Sequence, residues 1–441
     1  MASLSELLAE YRLLPLGNIY PKQINGKTYH YHQYFQNGRR YSVLLQEPEI
    51  APLQEKIQRR KELEEAIREL RSKNKKVTLS KNANELTGQI MCGNTPVAWF
   101  KEGKLICYDD ERAPFVISRT ESIEEFLKLR VIDMSRTNAR ILKRVLGIHT
   151  DEDYKTALFA YALSVSDRYW FRPKNSKLHY EDVAFDNDLY FETAIKGDTT
   201  LYPNRPSMTP EITTTGSFEK GWRYIDGSWY LYKTGTQKQI FAELFCSRFA
   251  RLIGAPTVEY QIEDPWIVCR NFAEKVNFEP MAALAGSQED YASIFHTLVQ
   301  FSPSIAKDYL RLLFFDSVVY NIDRHNENFG LERNIENGKV LRLAPNFDNN
   351  LALTATTDHL TSDISKDGFV RLFVNFLKKD ADALALFQAL SFPDIETSDI
   401  QAICNEIPLD IPGKEELPAV ILARYQALKE LFNNEHISKV C

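Results

Sequence analysis

Apolar and polar residues follow two different periods along this chain, and the changes of period divide it. Residues 24–46, INGKTYHYHQYFQNGRRYSVLLQ, are rich in β-branched and aromatic side chains and are broken at Asn25-Gly26 and Asn37-Gly38. A type I′ turn needs positive φ at both central positions, so each Asn-Gly step predicts a β-hairpin turn. From Leu53 to Lys76 the period becomes helical, with Leu53, Ile57, Leu63, Ile67 and Leu70 forming a narrow apolar stripe. The polar stretch SKNKKVTLSKNANE that follows reads as a linker, which places a boundary near residue 80.

Beyond residue 87 the pattern gives short strands, GQIMCGNTPVAWF and KLICYDD, and then helices over 122–130, 135–146 and 151–165. Ser135 is placed to cap the second helix and Gly147 to stop it. Asp186, Asn187 and Asp188 have the composition of a calcium loop, but no glycine or terminal glutamate follows at the required spacing, which leaves turn chemistry. Residues 213–254, TTTGSFEKGWRYIDGSWYLYKTGTQKQIFAELFCSRFARLIG, then run through a recognisable series. A Thr/Ser/Gly turn leads into a strand from Gly221 to Ile225, an Asp226-Gly227 hairpin turn, a strand ending in Lys233, and a helix carrying Phe241, Leu244, Phe245, Phe249 and Leu252 at helical spacing. Glu243 lies in the first turns of that helix. A small-residue loop around Thr215, Gly216 and Ser217, a lysine on the returning strand and a glutamate on the next helix are the parts of a phosphate site. Backbone N–H groups cover the phosphates, the lysine binds them, and the glutamate orients the lysine.

The apolar run LRLLFFDSVVY ends at NIDRHNENFG, where Asp323 and Asn328 stand five residues apart with Arg324 and His325 between them. A short strand pair around Asn337-Gly338 follows, and APNFDNN then presents Asp348. Two readings fit the loop alone: a polar helix-to-strand connection, or a phosphoryl-transfer site. In the second, a carboxylate accepts the hydrogen bond of the substrate hydroxyl, and hard oxygen ligands hold magnesium on the phosphates. The order of glycine loop, Lys233, Glu243, Asp323, Asn328 and Asp348 favours the second. His325 then serves either as a proton acceptor or as a neutral imidazole fixing the loop; because Asp323 already fills the base role, the second is expected. Arg324 either faces a phosphate or braces the loop through an ion pair, and the ion pair is expected.

Charge and cysteine content change this picture only at the margins. A net charge of -6 argues against nucleic-acid binding through the overall field, yet residues 55–76 hold nine Lys/Arg against five Asp/Glu. With Lys22, Lys27, Arg39 and Arg40 nearby, residues 1–80 are either a solvated hairpin-and-helix module or an arm that follows a phosphate backbone. Six scattered cysteines without a CxxC pair read as reduced thiols of a cytoplasmic protein. Glu6 and Glu10 interrupt any signal-peptide core, and no apolar run is long enough to span a membrane.

NIDRHNENFG followed by LAPNFDNN resembles the HipA-like branch of the protein-kinase superfold, as do TTTGSFEKGW, YLYKTG and FAELFCSRFARLIG; the resemblance covers most of residues 85–441. It implies an α+β, bilobal, protein-kinase-like fold with a small N-terminal β-hairpin and helix extension. Residues 1–80 would form the extension, 81–290 an N-lobe with insertions, and 291–441 a mainly helical C-lobe with the catalytic loop. It also implies ATP and Mg2+ as cofactors, with Asp323 catalytic beside Arg324 and His325, Asn328 and Asp348 as metal ligands, and Lys233, Glu243, Thr215, Gly216 and Ser217 on the nucleotide. Asn349-Asn350 stand where eukaryotic-type kinases have Phe-Gly, and Asn321 where they place a histidine. Both departures favour HipA-like or phosphoinositide-kinase-like relatives. The activity implied is that of a Ser/Thr protein kinase, with a toxin's role beside a small DNA-binding antitoxin and autophosphorylation in the 213–217 loop. A lipid or small-molecule kinase on the same scaffold, and a pseudokinase interaction module, are the alternatives. The first 80 residues imply no chemistry.

Overall fold

Hairpin turns and capped helices account for most of the observed architecture. The structure is a computed structural model that describes the chain outside residues 1–6, 8–9, 12, 25, 37–38, 74–86, 102–103, 121, 150–151, 201–205, 289, 358–359 and 434–441. Much of the proposed linker, the boundary near residue 80 and the Asn37-Gly38 step lie outside the described residues. The strands flanking both N-terminal Asn-Gly steps are present: β1 (Asn18–Ile24), β2 (Lys27–Gln36) and β3 (Arg39–Leu44) form an antiparallel sheet in that order. The charged helix α1 spans Glu47–Lys73, starting six residues before the expected Leu53. Its stripe residues Leu63 and Ile67 are buried against Tyr11, with Leu7 and Leu14 packed alongside.

Strands β4 (Gly88–Cys92), β5 (Thr95–Lys101) and β6 (Lys104–Cys107) follow the predicted pattern, and β7 (Tyr169–Pro173) returns to pair with β4, giving the order β6-β5-β4-β7. The intervening helices are shorter than periodicity alone suggested. Ser122 caps Ile123–Lys128, but Ala139–Val145 begins at Asn138 rather than Ser135, because Ser135 sits in a turn in which its N–H bonds Asp133. Asp153–Phe159 ends early, where Tyr161 and Ala162 take positive φ. Asn187 accepts the Leu189 N–H, which is turn chemistry, as expected at that acidic segment.

The third sheet positions the site. Strands β8 (Lys220–Ile225) and β9 (Ser228–Lys233) turn at Asp226 (φ 49°) and Gly227 (φ 81°), as the Asp-Gly step predicts, and β10 (Gln261–Glu263) and β11 (Trp266–Arg270) complete the order β10-β11-β9-β8. Helix α2 (Gln237–Leu252) follows β9, opened by a capping box between Thr236 and Gln239. Its Phe241, Phe245 and Phe249 stack in series, 6.0 and 5.8 Å between centroids, and are fully buried. Each such ring contributes roughly 1.5–3 kcal/mol by leaving water, which anchors the helix that carries Glu243.

Helices α3 (Tyr291–Phe301), α4 (Pro303–Val319), α5 (Gly368–Lys379), α6 (Ala381–Gln388), α7 (Thr397–Glu406) and α8 (Leu417–Asn433) build the C-terminal part around one apolar core shared with α2. Ser302 caps α4 with Pro303 at its first position, and Tyr320 ends it in the left-handed region (φ 54°). The candidate loop therefore begins one residue past a rigid, buried helix. After it, β12 (Asn277–Pro280), β13 (Gly330–Arg333) and β14 (Val340–Leu343) make the fourth sheet. Gly330 has no substitute there, since a Cβ would lie 2.1 Å from the Glu279 carbonyl oxygen. No described helix is long and apolar enough to cross a membrane, and the five described cysteines are unbridged.

Candidate active site

Lys233 ends β9 with its ammonium inside the protein, where only 5% of the residue is exposed. It donates to Glu243 Oε1 at 2.5 Å, to Asp348 Oδ1 at 2.8 Å and to the Tyr260 hydroxyl at 3.2 Å. Glu243 takes the Asn349 backbone N–H at 2.8 Å on its other oxygen, so α2 fixes both the lysine and the segment after Asp348. Burial works against the charge of Lys233, but the two carboxylates outweigh it and hold its pKa well above the ordinary value. Burial also opposes the charge on Asp348, yet Lys233 and Lys220 together keep it far below the ordinary carboxylate range. Glu243 moves the other way, because its deeper burial exceeds the pull of the one lysine it faces. Asp348 has φ 59°, a left-handed conformation that costs a non-glycine residue about 1 kcal/mol or more and that the surrounding bonds hold in place.

The loop after α4 brings its groups to the same place. Asn328 Nδ2 donates to the Asp323 carbonyl at 2.9 Å and lies 3.4 Å from its carboxylate. Half-burial raises the Asp323 pKa, an effect that His325 opposes and Asp348 adds to. His325 Nδ1 accepts the Glu327 N–H at 3.3 Å, the loop-fixing contact expected of it. Arg324 does not line the cavity. Its guanidinium binds both Asp316 oxygens at 2.9 and 3.0 Å, the Asn328 and Phe347 carbonyls, and the side-chain oxygens of Asn346 and Asn349. It ties the 321–328 loop, α4 and the Asp348 segment together, a positioning role achieved by its planar set of donors.

One cavity of about 280 Å3 is lined by Lys220, Lys233, Asp323, His325, Asn328, Asp348 and the 213–218 loop, and its apolar side by Leu231, Val258, Phe272 and Phe347. That is close to the lower end for small-molecule sites. Thr215, Gly216 and Ser217 all lie on it, as the sequence suggested. Lys220 was missed, and the signal was available: the turn at Asp226-Gly227 sets Lys220 directly opposite Lys233, so both side chains share a face. Burial lowers the Lys220 pKa to about 8, against the pull of Asp348. Gly216 (φ 89°) folds over it so tightly that a Cβ would lie 2.4 Å from its Nζ. Arg136 holds the loop from behind by donating to the Lys220 and Thr214 carbonyls.

Among the described residues no group of three or more His, Cys, Asp and Glu side chains is arranged to hold a metal. Asp348 and Asn328 would hold a hard cation only together with phosphate oxygens and water, which is how magnesium is usually bound beside a nucleotide.

Two buried lysines and two aspartates thus line one cleft beside a small-residue loop. Residues 218–408 match the family model of the HipA-like C-terminal domain. A chain of the Shewanella oneidensis MR-1 toxin–antitoxin system HipA, HipB and its operator DNA complex is 13% identical with a TM-score of 0.50, over 79% of this chain and 100% of that one. The Helicobacter pylori proinflammatory kinase CtkA is 17% identical with a TM-score of 0.38, over 48% of this chain and 94% of that one. The first likeness is one of fold. No curated protein matches the chain.

Proposed function

We propose that this chain is an ATP- and magnesium-dependent kinase of bilobal, HipA-like organisation that phosphorylates a serine or threonine hydroxyl of a protein. The observation that carries the proposal is the convergence of Lys233, Lys220, Asp348, Asp323 and Asn328 on one cavity. Lys233, fixed by Glu243, and Lys220 would take the phosphates, with backbone N–H groups of Thr215–Ser217 above them. Asp348 and Asn328 would hold magnesium, whose chemistry is to neutralise charge on the phosphates. Asp323, acceptor-only when ionised, would receive the hydrogen bond of the attacking hydroxyl and orient its oxygen.

The lobes would comprise residues 81–290 and 291–441, with 1–80 as an extension. Pairing of β12 with β13 spans that division, so two such lobes would share a sheet. The reading carries with it work in the cytoplasm, where ATP is supplied, and a small DNA-binding antitoxin as partner. The same cleft would serve a lipid or metabolite hydroxyl, and the acceptor is decided by incubating the full chain with γ-labelled ATP, magnesium and cell extract. Label in the protein fraction supports the proposal. Label only in the lipid or small-molecule fraction replaces the acceptor, and no nucleotide binding at all leaves an interaction module.

A further inference from the structure

The N-terminal sheet has a composition that the cleft does not use. Between Glu10 and Glu47 the chain has no Asp or Glu, although its net charge is -6, and the stretch holds Arg12, Lys22, Lys27, Arg39 and Arg40. The same stretch contains Tyr11, Tyr20, Tyr29, Tyr31, Tyr34, Tyr41 and Phe35. A stretch this long without a single acid, inside an acidic protein, concentrates positive charge locally.

The strand register sorts these residues by face. Tyr20 lies opposite Tyr31, Lys22 opposite Tyr29, and Ile24 opposite Lys27. Directly opposed residues point the same way, so Tyr20, Lys22, Lys27, Tyr29 and Tyr31 share one face. Tyr20 is 49% exposed and Leu44, which continues this row on β3, is 44% exposed. Lys22 and Lys27 are exposed, and Tyr29 and Tyr31 half-buried. On the other face His32 Nε2 is 2.6 Å from the Leu16 carbonyl oxygen and Tyr34 and Tyr41 stack at 5.1 Å, and none of the residues that β1 and β2 place on that face is a lysine or arginine.

Helix α1, the other candidate for contact with nucleic acid, is neutral over its length, with seven basic and seven acidic residues. Its Arg59 binds Glu10 through two oxygens, and Arg60 binds the Tyr11 and Leu14 carbonyls. Those arginines hold the N-terminal segment in place, which leaves the sheet as the cationic element.

We infer that the Tyr20–Lys22–Lys27–Tyr29–Tyr31 face of this sheet binds single-stranded nucleic acid. Lysines spaced along a strand answer phosphates, and tyrosine rings between them offer flat apolar surfaces on which unpaired bases stack. A duplex keeps its bases stacked inside and would leave the rings unused. At about 3.3 Å per residue, seven-residue β1 is roughly 23 Å long, room for a few nucleotides.

The test uses the full chain and fluorescein-labelled 15-nucleotide single strands of DNA and RNA of mixed sequence. The matching duplexes and phosphatidylserine vesicles are the competing ligands, and anisotropy is read from 50 to 200 mM salt. The single strands are expected to bind more tightly than duplex or vesicle. The double variant Lys22→Gln/Lys27→Gln should reduce the salt slope by about 1.4, from two phosphate contacts at about 0.7 each. Tyr20→Ala/Tyr31→Ala should weaken binding about tenfold or more with the slope unchanged, since stacking carries no counterions. Absence of single-strand binding at 50 mM salt, tighter binding of duplex or vesicle, or binding indifferent to both variants overturns the inference. If a variant loses its fold by circular dichroism, acetylation footprinting of the unaltered chain decides: protection of Lys22 and Lys27 by the single strand supports it, and unchanged reactivity overturns it.

Discussion

Replacing Arg324 by Met separates an arginine that braces the site from one that works on the substrate. Methionine keeps an unbranched side chain of similar reach but removes every bond the guanidinium makes. Asp316, buried within α4, then loses its cation; both members of that pair are under 10% exposed, at 6% and 9%. Removing one partner of a buried pair costs about 3–5 kcal/mol. The freed carbonyls of Asn328 and Phe347 add on the order of 1 kcal/mol each where water cannot reach them. The pH dependence has a definite sign. Burial already holds the Asp316 pKa above the ordinary value and Arg324 pulls it back, so the variant raises it further. A carboxyl with a raised pKa binds more protons folded than unfolded, so its contribution to stability falls as pH climbs above about 3.9 and levels off past the folded-state value. The penalty should therefore be larger at pH 8 than at pH 5. Urea titrations of the wild type and variant at both pH values, followed by tryptophan fluorescence, measure it. A loss below about 1 kcal/mol, equal at the two pH values, would refute the bracing role.

Three further outcomes follow from the cleft. Asp348→Ala should weaken magnesium-dependent ATP binding tenfold or more in calorimetry, while ATP binding without magnesium changes less, because on the proposed reading the change would remove a metal ligand, and it frees Lys233 from one partner. Lys220, with a pKa near 8, should give kcat/KM an alkaline limb near pH 8 as the lysine loses its proton; Lys220→Met should lower kcat/KM and abolish that limb, and a limb that persists in the variant removes Lys220 from the phosphate site. In the 213–217 loop, Thr213 and Thr214 donate their hydroxyls to the Pro210 carbonyl, whereas Thr215 and Ser217 are exposed. If the enzyme modifies this loop, peptide mapping should place phosphate on Thr215 or Ser217, with activity declining as roughly two negative charges crowd the ATP phosphates; phosphate confined to Thr213 or Thr214 contradicts this.

What the sequence showed well was local. Asp226-Gly227 dictated its turn, and Lys233, Glu243, Asp323, Asn328 and Asp348 could be read in order because each sits beside a strong element signal. What it showed poorly was pairing across space. Strand β7 joins β4 across about eighty residues, and nothing near Tyr169 announces that. Lys220 was passed over because a lysine in a strand looks like any exposed lysine until the register is counted across the turn to Lys233. Arg324 was expected to brace the loop through an ion pair, but its partners, Asp316 on α4 and Asn346 and Asn349 beside Asp348, come from two segments that only the fold brings together. In the N-terminal module the basic helix attracted attention, yet its start at Glu47 rather than Leu53 brings in Glu47 and Glu49 and balances its charge. The acid-free strands beside it were the stronger signal.

The central claim is that Asp323 acts on an acceptor hydroxyl next to a nucleotide held by other residues, and its most direct test compares wild type with Asp323→Asn in two measurements on the same preparations. Calorimetry reads Mg-ATP binding, and transfer of labelled γ-phosphate to protein reads turnover. The account predicts Mg-ATP affinities within about threefold of each other and turnover lower by at least a hundredfold in the variant, a loss confined to the transition state. Equal turnover in the two proteins would contradict it.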